Sequence, residues 1–242
     1  MRIPRIFHAD VLSEEQIITL ERSTAHYLTK VLRLQAGAEL TVFNGQGYEF
    51  SGRLETKEKE VSVYIKGRRY IDCESPLHIT LIQGISKGER MDITIQKAVE
   101  LGVTRIIPVT TQRTVVHLKG DRLEKRMKHW QGIIHSACEQ CGRNTLPQLA
   151  TITPLSSLLD TPIGSLKLLL SPYAKTSLSS LKPENKSIAL LIGPEGGLQD
   201  NEINQALSKG FTAVRMGPRI MRTETAAIAS LAVIQALWGD LT

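Results

Sequence analysis

Ile188-Ala189-Leu190-Leu191-Ile192-Gly193-Pro194-Glu195-Gly196-Gly197 is the stretch on which the reading of the fold turns. Five apolar residues in a row, cut off by glycine and proline, are too short for a helix and suit a strand buried on both faces, as in the parallel layer of an α/β domain. Working outward, residues 77–83, 105–110, 167–171 and 213–216 are short apolar runs of the same kind. Helical patterns fill the gaps between them. Residues 90–101 set Met91, Ile95, Ala98 and Val99 on one side, with Gly102 as a stop. Residues 122–139 make a second, basic helix, residues 201–209 a third and residues 225–238 a last, apolar one. Strands alternating with helices predict a mainly parallel sheet.

Before about Cys73 the pattern differs. Ser23 or Thr24 can cap a helix carrying Ala25, Leu28, Val31 and Leu32, and Gly37 ends the connection. Residues 39–43 and 48–54 suit strands joined through Asn44-Gly45-Gln46-Gly47, a hairpin turn. Val61, Val63 and Ile65 alternate with polar neighbours, so a third strand has one buried and one wet face. Arg53, Lys57, Lys59, Lys66, Arg68 and Arg69 either line that wet face as a phosphate-contacting surface or are ordinary solvated cations.

At 242 residues, 41% hydrophobic and 22% charged, the chain can bury a real core, which argues against disorder. The first residues lack the apolar run of a secretory signal, and the apolar stretch 226–238 is too short to span a bilayer. A net charge of +6 favours a polyanionic partner, because lysine and arginine release counterions from phosphates. Three cysteines, Cys73, Cys138 and Cys141, point to reduced thiols in a cytosol.

In an open α/β sheet ligands bind beyond the carboxyl ends of the strands. There the sequence has residues 193–197 after Ile192, Gly217-Pro218-Arg219 after Met216, and then Met221-Arg222-Thr223-Glu224-Thr225. Glycines let main-chain groups approach a ligand, and prolines stiffen the loops. Such walls suit a flat, uncharged heterocycle such as adenine. The plainer alternative is that the glycines only close tight turns, which two such loops on successive strands make less economical. A phosphate loop is excluded because no Gly-Lys-Ser or Gly-Lys-Thr follows, and a dinucleotide fold lacks both G-x-G-x-x-G and a ribose-binding carboxylate.

Four ordered segments then carry a resemblance: Arg90-Met91-Asp92 with residues 96–102, Glu139-Gln140-Cys141-Gly142-Arg143, residues 192–197, and Arg222-Thr223-Glu224-Thr225-Ala226. They resemble the signature stretches of the RsmE family, which methylates N3 of a uridine in 16S ribosomal RNA. The resemblance implies a C-terminal α/β domain of SPOUT type over residues 74–242, with a mainly parallel sheet and a trefoil knot. It implies a small PUA-like, RNA-binding β-barrel over residues 1–73. It further implies S-adenosylmethionine as cofactor, 16S rRNA in the small ribosomal subunit as partner, a cytoplasmic homodimer, and neither metal nor membrane. By motif position the cofactor lies against Leu170, Ser171, Pro172, Ile192, Gly193, Pro194, Glu195, Gly196, Gly197, Met216, Gly217, Met221, Arg222, Thr223, Glu224 and Thr225.

Methyl transfer to a uridine nitrogen needs a base, or cations that stabilise the anion left when the proton departs. Arg222 and Arg143 are the candidate cations, one of them in a dimer supplied by the partner subunit, and each can instead bind phosphate. Glu195 and Glu224 are the candidate carboxylates. Glu195 can equally tie its loop through backbone N–H groups, and Glu224 can sit at a helix start for dipole reasons alone. Cys138-x-x-Cys141 with His135 offers three ligands where a structural zinc site wants four. A cysteine nucleophile would fit methylation of carbon-5 instead, and a packed thiol is the simplest reading. Arg122, Lys125, Arg126, Lys128 and His129 form a wet helix face or an RNA contact.

Overall fold

In the computed structural model, residues 3–57, 60–116 and 120–241 are described. Lys59, among the cations named above, lies outside them. The chain divides into two units. One takes the chain as far as Glu74 together with Cys138–Leu146. The other takes Ser75–Ala137 and everything from Pro147 onward.

The first unit is built on five strands, β1 (Arg5–Phe7), β2 (Ile17–Thr19), β3 (Glu39–Phe43), β4 (Tyr48–Lys57) and β5 (Glu60–Tyr70), with helix α1 (Arg22–His26) between β2 and β3. Their order is β1-β3-β4-β5-β2, antiparallel except for the β1–β3 pair. Val42, Leu54, Val63 and Ile65 are fully buried in its core beside Leu28. The expected helix start at Ser23 or Thr24 is displaced to Glu21, which makes no side-chain cap bond. After His26 the helix widens into one π turn over Tyr27–Val31. Thr29 Oγ1 donates to the Ala25 carbonyl at 2.8 Å, a back-bond of the sort that bends helices. Along β4 and β5 the register slips at Ser51/Gly52. A Cβ on Gly52 would fall 2.5 Å from Val63 Cγ1, so the bulge needs a glycine.

Residues 138–146 belong to this unit because polar anchors hold them there. Arg5 pairs with Glu49, which is 4% exposed, and also donates to Asn144 Oδ1 at 2.8 Å and to the Gly142 carbonyl at 3.2 Å. Glu139 accepts the Phe7 N–H at 2.9 Å. Arg143, 4% exposed, donates from Nε to Glu74 Oε2 at 2.9 Å and from Nη2 at 2.5 Å. None of these partners is close in sequence, so apolar periodicity cannot announce them.

The second unit runs β6 (His78–Gly84), α2 (Glu89–Glu100), β7 (Arg105–Thr110), α3 (Asp121–Cys141, its last turn counted with the first unit), β8 (Gln148–Leu149), β9 (Thr153–Pro154), α4 (Leu155–Leu159), β10 (Leu166–Leu170), β11 (Thr176–Ser177), β12 (Ser187–Ile192), α5 (Asp200–Ser208), β13 (Thr212–Arg215) and α6 (Thr223–Trp238). The sheet order is β11-β13-β10-β12-β6-β7-β8, with β9 also on β7, and every pairing is parallel. Sequence periodicity finds the five long strands to within one residue at either end. It misses β8, β9 and β11, which at two residues each carry no readable pattern.

One core gathers Ile82, Ile107, Val109, Leu169 and Leu191 from the strands with Leu155, Leu158, Ala206 and Phe211. Elsewhere α2 packs on α6. The expected stripe Met91, Ile95, Ala98 and Val99 is buried, as are Ala227, Leu231 and Ile234 of α6. Gln235 fixes the far end of α6, accepting from Ser75 Oγ and donating to the Leu101 carbonyl, both at 2.8 Å. Among the described residues no helix is long and apolar enough to cross a membrane.

Replacing Arg143 by alanine would strip Glu74 of its cation while leaving the carboxylate in a mostly closed setting. The cost should be about 2–3 kcal/mol, somewhat under the range for a fully buried pair because Glu74 keeps some contact with water. Urea unfolding of Arg143→Ala, with Arg143→Lys falling between it and the parent, measures this, and an unchanged midpoint would contradict it.

Candidate functional site

Strands β13, β10 and β12 are neighbours in the sheet and run parallel, so their carboxyl ends reach one edge together. The chain leaving Leu170, Ile192 and Arg215, with the start of α6, encloses a cavity of about 490 Å³. That lies within the roughly 300–1,000 Å³ usual for small-molecule sites. Of the residues expected to hold a cofactor, Leu170, Ser171, Pro172, Ile192, Gly193, Pro194, Glu195, Gly196, Gly197, Met216, Gly217, Met221, Arg222, Thr223 and Glu224 line it. Thr225 does not. Arg219, in the loop expected to face a ligand, lines it as well; Arg90, Arg113 and Tyr173 line it too, and sequence reasoning did not find them in that role.

Loop 193–197 is a tight turn closed by the Gly197 N–H donating to the Pro194 carbonyl at 2.8 Å, with Gly197 at φ +70°. It lies hard against the end of β6. A Cβ on Gly84 would fall 2.5 Å from both Cδ and N of Pro194, a contact only glycine permits. One residue earlier, Gln83 is fully buried and donates from Nε2 to Thr223 Oγ1 at 3.0 Å and to the Gly84 carbonyl at 3.1 Å. Thr223 Oγ1 in turn donates to the Gly193 carbonyl at 2.7 Å. This relay joins the end of β6, the loop after β12 and the first residue of α6. A glutamine closing an apolar strand was the available signal for it.

The charged groups of the pocket divide by what they touch. Glu195 Oε1 accepts the Lys87 N–H at 2.9 Å and Arg90 Nη1 at 3.0 Å. Burial alone would raise its pKa, but these bonds and its own backbone N–H outweigh burial and hold the carboxyl below the usual range. Glu195 is therefore an ionised loop tie and a weak base. Arg113 Nη1 donates to the Gly196 carbonyl at 2.7 Å, clasping the loop from its other side. Glu224 differs. Its Oε2 is buried and has no hydrogen-bond partner among the described residues. Arg222, at the N-cap of α6, is exposed.

Arg143 belongs to the first unit, engaged with Glu74, and does not line the cavity. Cys138 is buried in that same unit, and loss of water pushes its thiol up to about 12, so it is a packed thiol and not a thiolate. Among the described residues no group of three or more metal-ligating side chains exists. On α3, Arg122, Lys125, Lys128 and His129 are exposed, and His129 Nε2 lies 2.8 Å from Asp92 Oδ2. Asp92 also accepts Trp130 Nε1 at 3.2 Å, which fastens α2 to α3.

The contact at Gly84 gives a test. Gly84→Ala forces the Gly-Pro turn off the strand end and should lower the unfolding free energy by about 1–3 kcal/mol, the usual cost of overpacking. Chemical denaturation measures it. A variant as stable as the parent would show that the turn has room to yield.

Comparison with known proteins also divides the chain after about residue 70, though the second match takes in residues 138–146. Residues 73–235 match the model of the RNA methyltransferase domain family, and residues 20–65 that of the RNA methyltransferase PUA domain. The ribosomal RNA small subunit methyltransferase E of Buchnera aphidicola (subsp. Schizaphis graminum) is 38% identical over 245 residues, covering 100% of this chain and 99% of its own. Among solved structures, a methyltransferase from Legionella pneumophila in complex with the cofactor S-adenosylmethionine superposes with a TM-score of 0.93 at 41% identity, over 100% of both chains. The small subunit methyltransferase E of Neisseria gonorrhoeae, bound to S-adenosylmethionine, gives 0.91 at 41% identity, also over 100% of both. The chain belongs to the ribosomal RNA small subunit methyltransferase E family of RNA methyltransferases.

Proposed function

We propose that this protein transfers a methyl group from S-adenosylmethionine to N3 of a uridine in 16S rRNA of the small ribosomal subunit, acting as a cytoplasmic homodimer. The observation that carries the reading is the cavity at three neighbouring strand tips, whose lining takes in Gly193, Pro194, Gly196, Gly197 and Gly217. The residues present fit such a cofactor. The volume suits a small organic ligand, main-chain groups can read the edge of an adenine, and Glu224 Oε2 is an orphaned acceptor in the wall. When bound, the cofactor supplies an electrophilic methyl group on a sulfonium.

The chain's own residues then have separable tasks. Loops 170–172, 193–197 and 216–217 hold and orient the ligand, which is most of what an in-line displacement requires. Glu224 accepts a hydrogen bond from the ligand. Arg222, exposed at the rim, orients the uracil and stabilises its anion as the N3 proton leaves. Arg143 is given no substrate contact in this reading, because its side chain is closed off and engaged with Glu74. The trefoil knot belongs to the same proposal, with the chain threading where residues 193–197, 216–217 and 219–224 line the pocket. For the dimer, Ile228, Ala229, Ala232 and Val233 leave an apolar face of α6 only half covered.

Incubation with labelled S-adenosylmethionine and unmodified small-subunit particles, followed by nucleoside mass spectrometry, tests the reading. It predicts 3-methyluridine as the product, and a product methylated on carbon would overturn it. Arg222→Ala should lower transfer by about 10²–10³-fold with cofactor affinity unchanged, as expected for loss of one anion-stabilising group. Full activity in that variant would remove Arg222 from the mechanism.

A further inference from the structure

Tyr48 opens β4 and Tyr70 closes β5, and the two are directly paired across the strands. Their rings meet edge to face, with centroids 5.7 Å apart at 66°. Both are out in solvent, Tyr48 38% and Tyr70 64% exposed. The Arg68 guanidinium lies 5.1 Å from the Tyr48 ring centroid. Arg69 is also exposed and reaches Glu49, and no hydrogen bond ties either tyrosine hydroxyl among the described residues. Two large aromatic rings left unburied at the mouth of a hairpin are not core packing. Arginine beside them keeps the patch from being purely apolar, as a docking face for a hydrophobic helix would be.

We propose that Tyr48, Tyr70 and Arg68 form a stacking platform for unpaired bases of RNA. Aromatic rings offer a flat surface to any base, and a neighbouring guanidinium both stacks and attracts phosphate. Tyr70, the more exposed, presents the face on which a base lies, while the ring of Tyr48, partnered by Arg68, holds it upright through the edge-to-face contact. Tyr48, Tyr70 and Arg68 share the face of the two strands that carries buried Phe50, whereas Arg69 sits across from Glu49 on the other face. Arg68 supplies a salt-sensitive part of RNA binding, and the tyrosines supply a part that salt does not screen. This platform deepens the proposed function by naming how the substrate is gripped, and rests on that reading only for the identity of the RNA.

Binding of the full chain to a fluorescent single-stranded oligouridine, measured by anisotropy without cofactor over a series of salt concentrations, tests it. Tyr70→Ala should weaken binding by about tenfold, with the slope against salt unchanged and the unfolding midpoint retained. Tyr70→Phe should restore it, since the ring and not the hydroxyl is at work. Arg68→Ala should instead flatten the slope. Equal binding by Tyr70→Ala and the parent, or loss in Tyr70→Phe equal to that in Tyr70→Ala, would overturn the platform. Because the assay contains no cofactor, its failure leaves methyl transfer untouched, and absence of methyl transfer leaves its result standing.

Discussion

Thr223 Oγ1 is the atom on which the second unit's site depends. It accepts from the buried Gln83 amide and donates to the Gly193 carbonyl, so one hydroxyl fixes the end of β6, the glycine turn after β12 and the entry to α6. Removing one partner of such a buried pair typically costs about 1–3 kcal/mol, because the group left behind keeps its desolvation penalty. The cost here is not spread evenly. It falls on two segments that both line the cavity, so a loss of this bond becomes a loss of cavity shape.

The steric and electrostatic contacts around the turn work with that hydroxyl. Gly84 lets Pro194 seat against the strand end, Glu195 grips the Lys87 amide and Arg90, and Arg113 holds the Gly196 carbonyl. A five-residue loop tied at each of these points has little freedom left, and a ligand entering it meets amides and carbonyls already in position. Preorganisation of this kind reduces the ordering cost of binding. It also explains why Glu195 is poorly suited to proton abstraction: the interactions that make it a good tie are those that hold its pKa down.

The sequence made much of this legible, unevenly. Apolar runs such as 188–192 and the stripe Met91, Ile95, Ala98 and Val99 report burial directly, and the glycines and prolines after strands mark the loops, so the long strands and most of the lining residues could be read. Arg113 and Arg143 could not be placed the same way. A charged side chain carries no periodic signal, and each finds its partner tens of residues away, Gly196 for one and Glu74 for the other. The segment 138–146 illustrates the cause: its membership in the first unit is decided by Arg5, Glu139 and Arg143, polar contacts that hydrophobic patterning ignores. The two-residue strands escaped for a simpler reason, being shorter than one period of alternation.

The central claim is that main-chain groups of the strand-tip loops form the ligand-binding wall. Amide hydrogen exchange with and without S-adenosylmethionine addresses it directly. The account predicts slowed exchange at Gly193, Glu195, Gly196, Gly197, Met216 and Gly217, with the strands of the first unit unaffected. Binding of the cofactor with those amides exchanging as before, and protection appearing in another part of the chain, would contradict it.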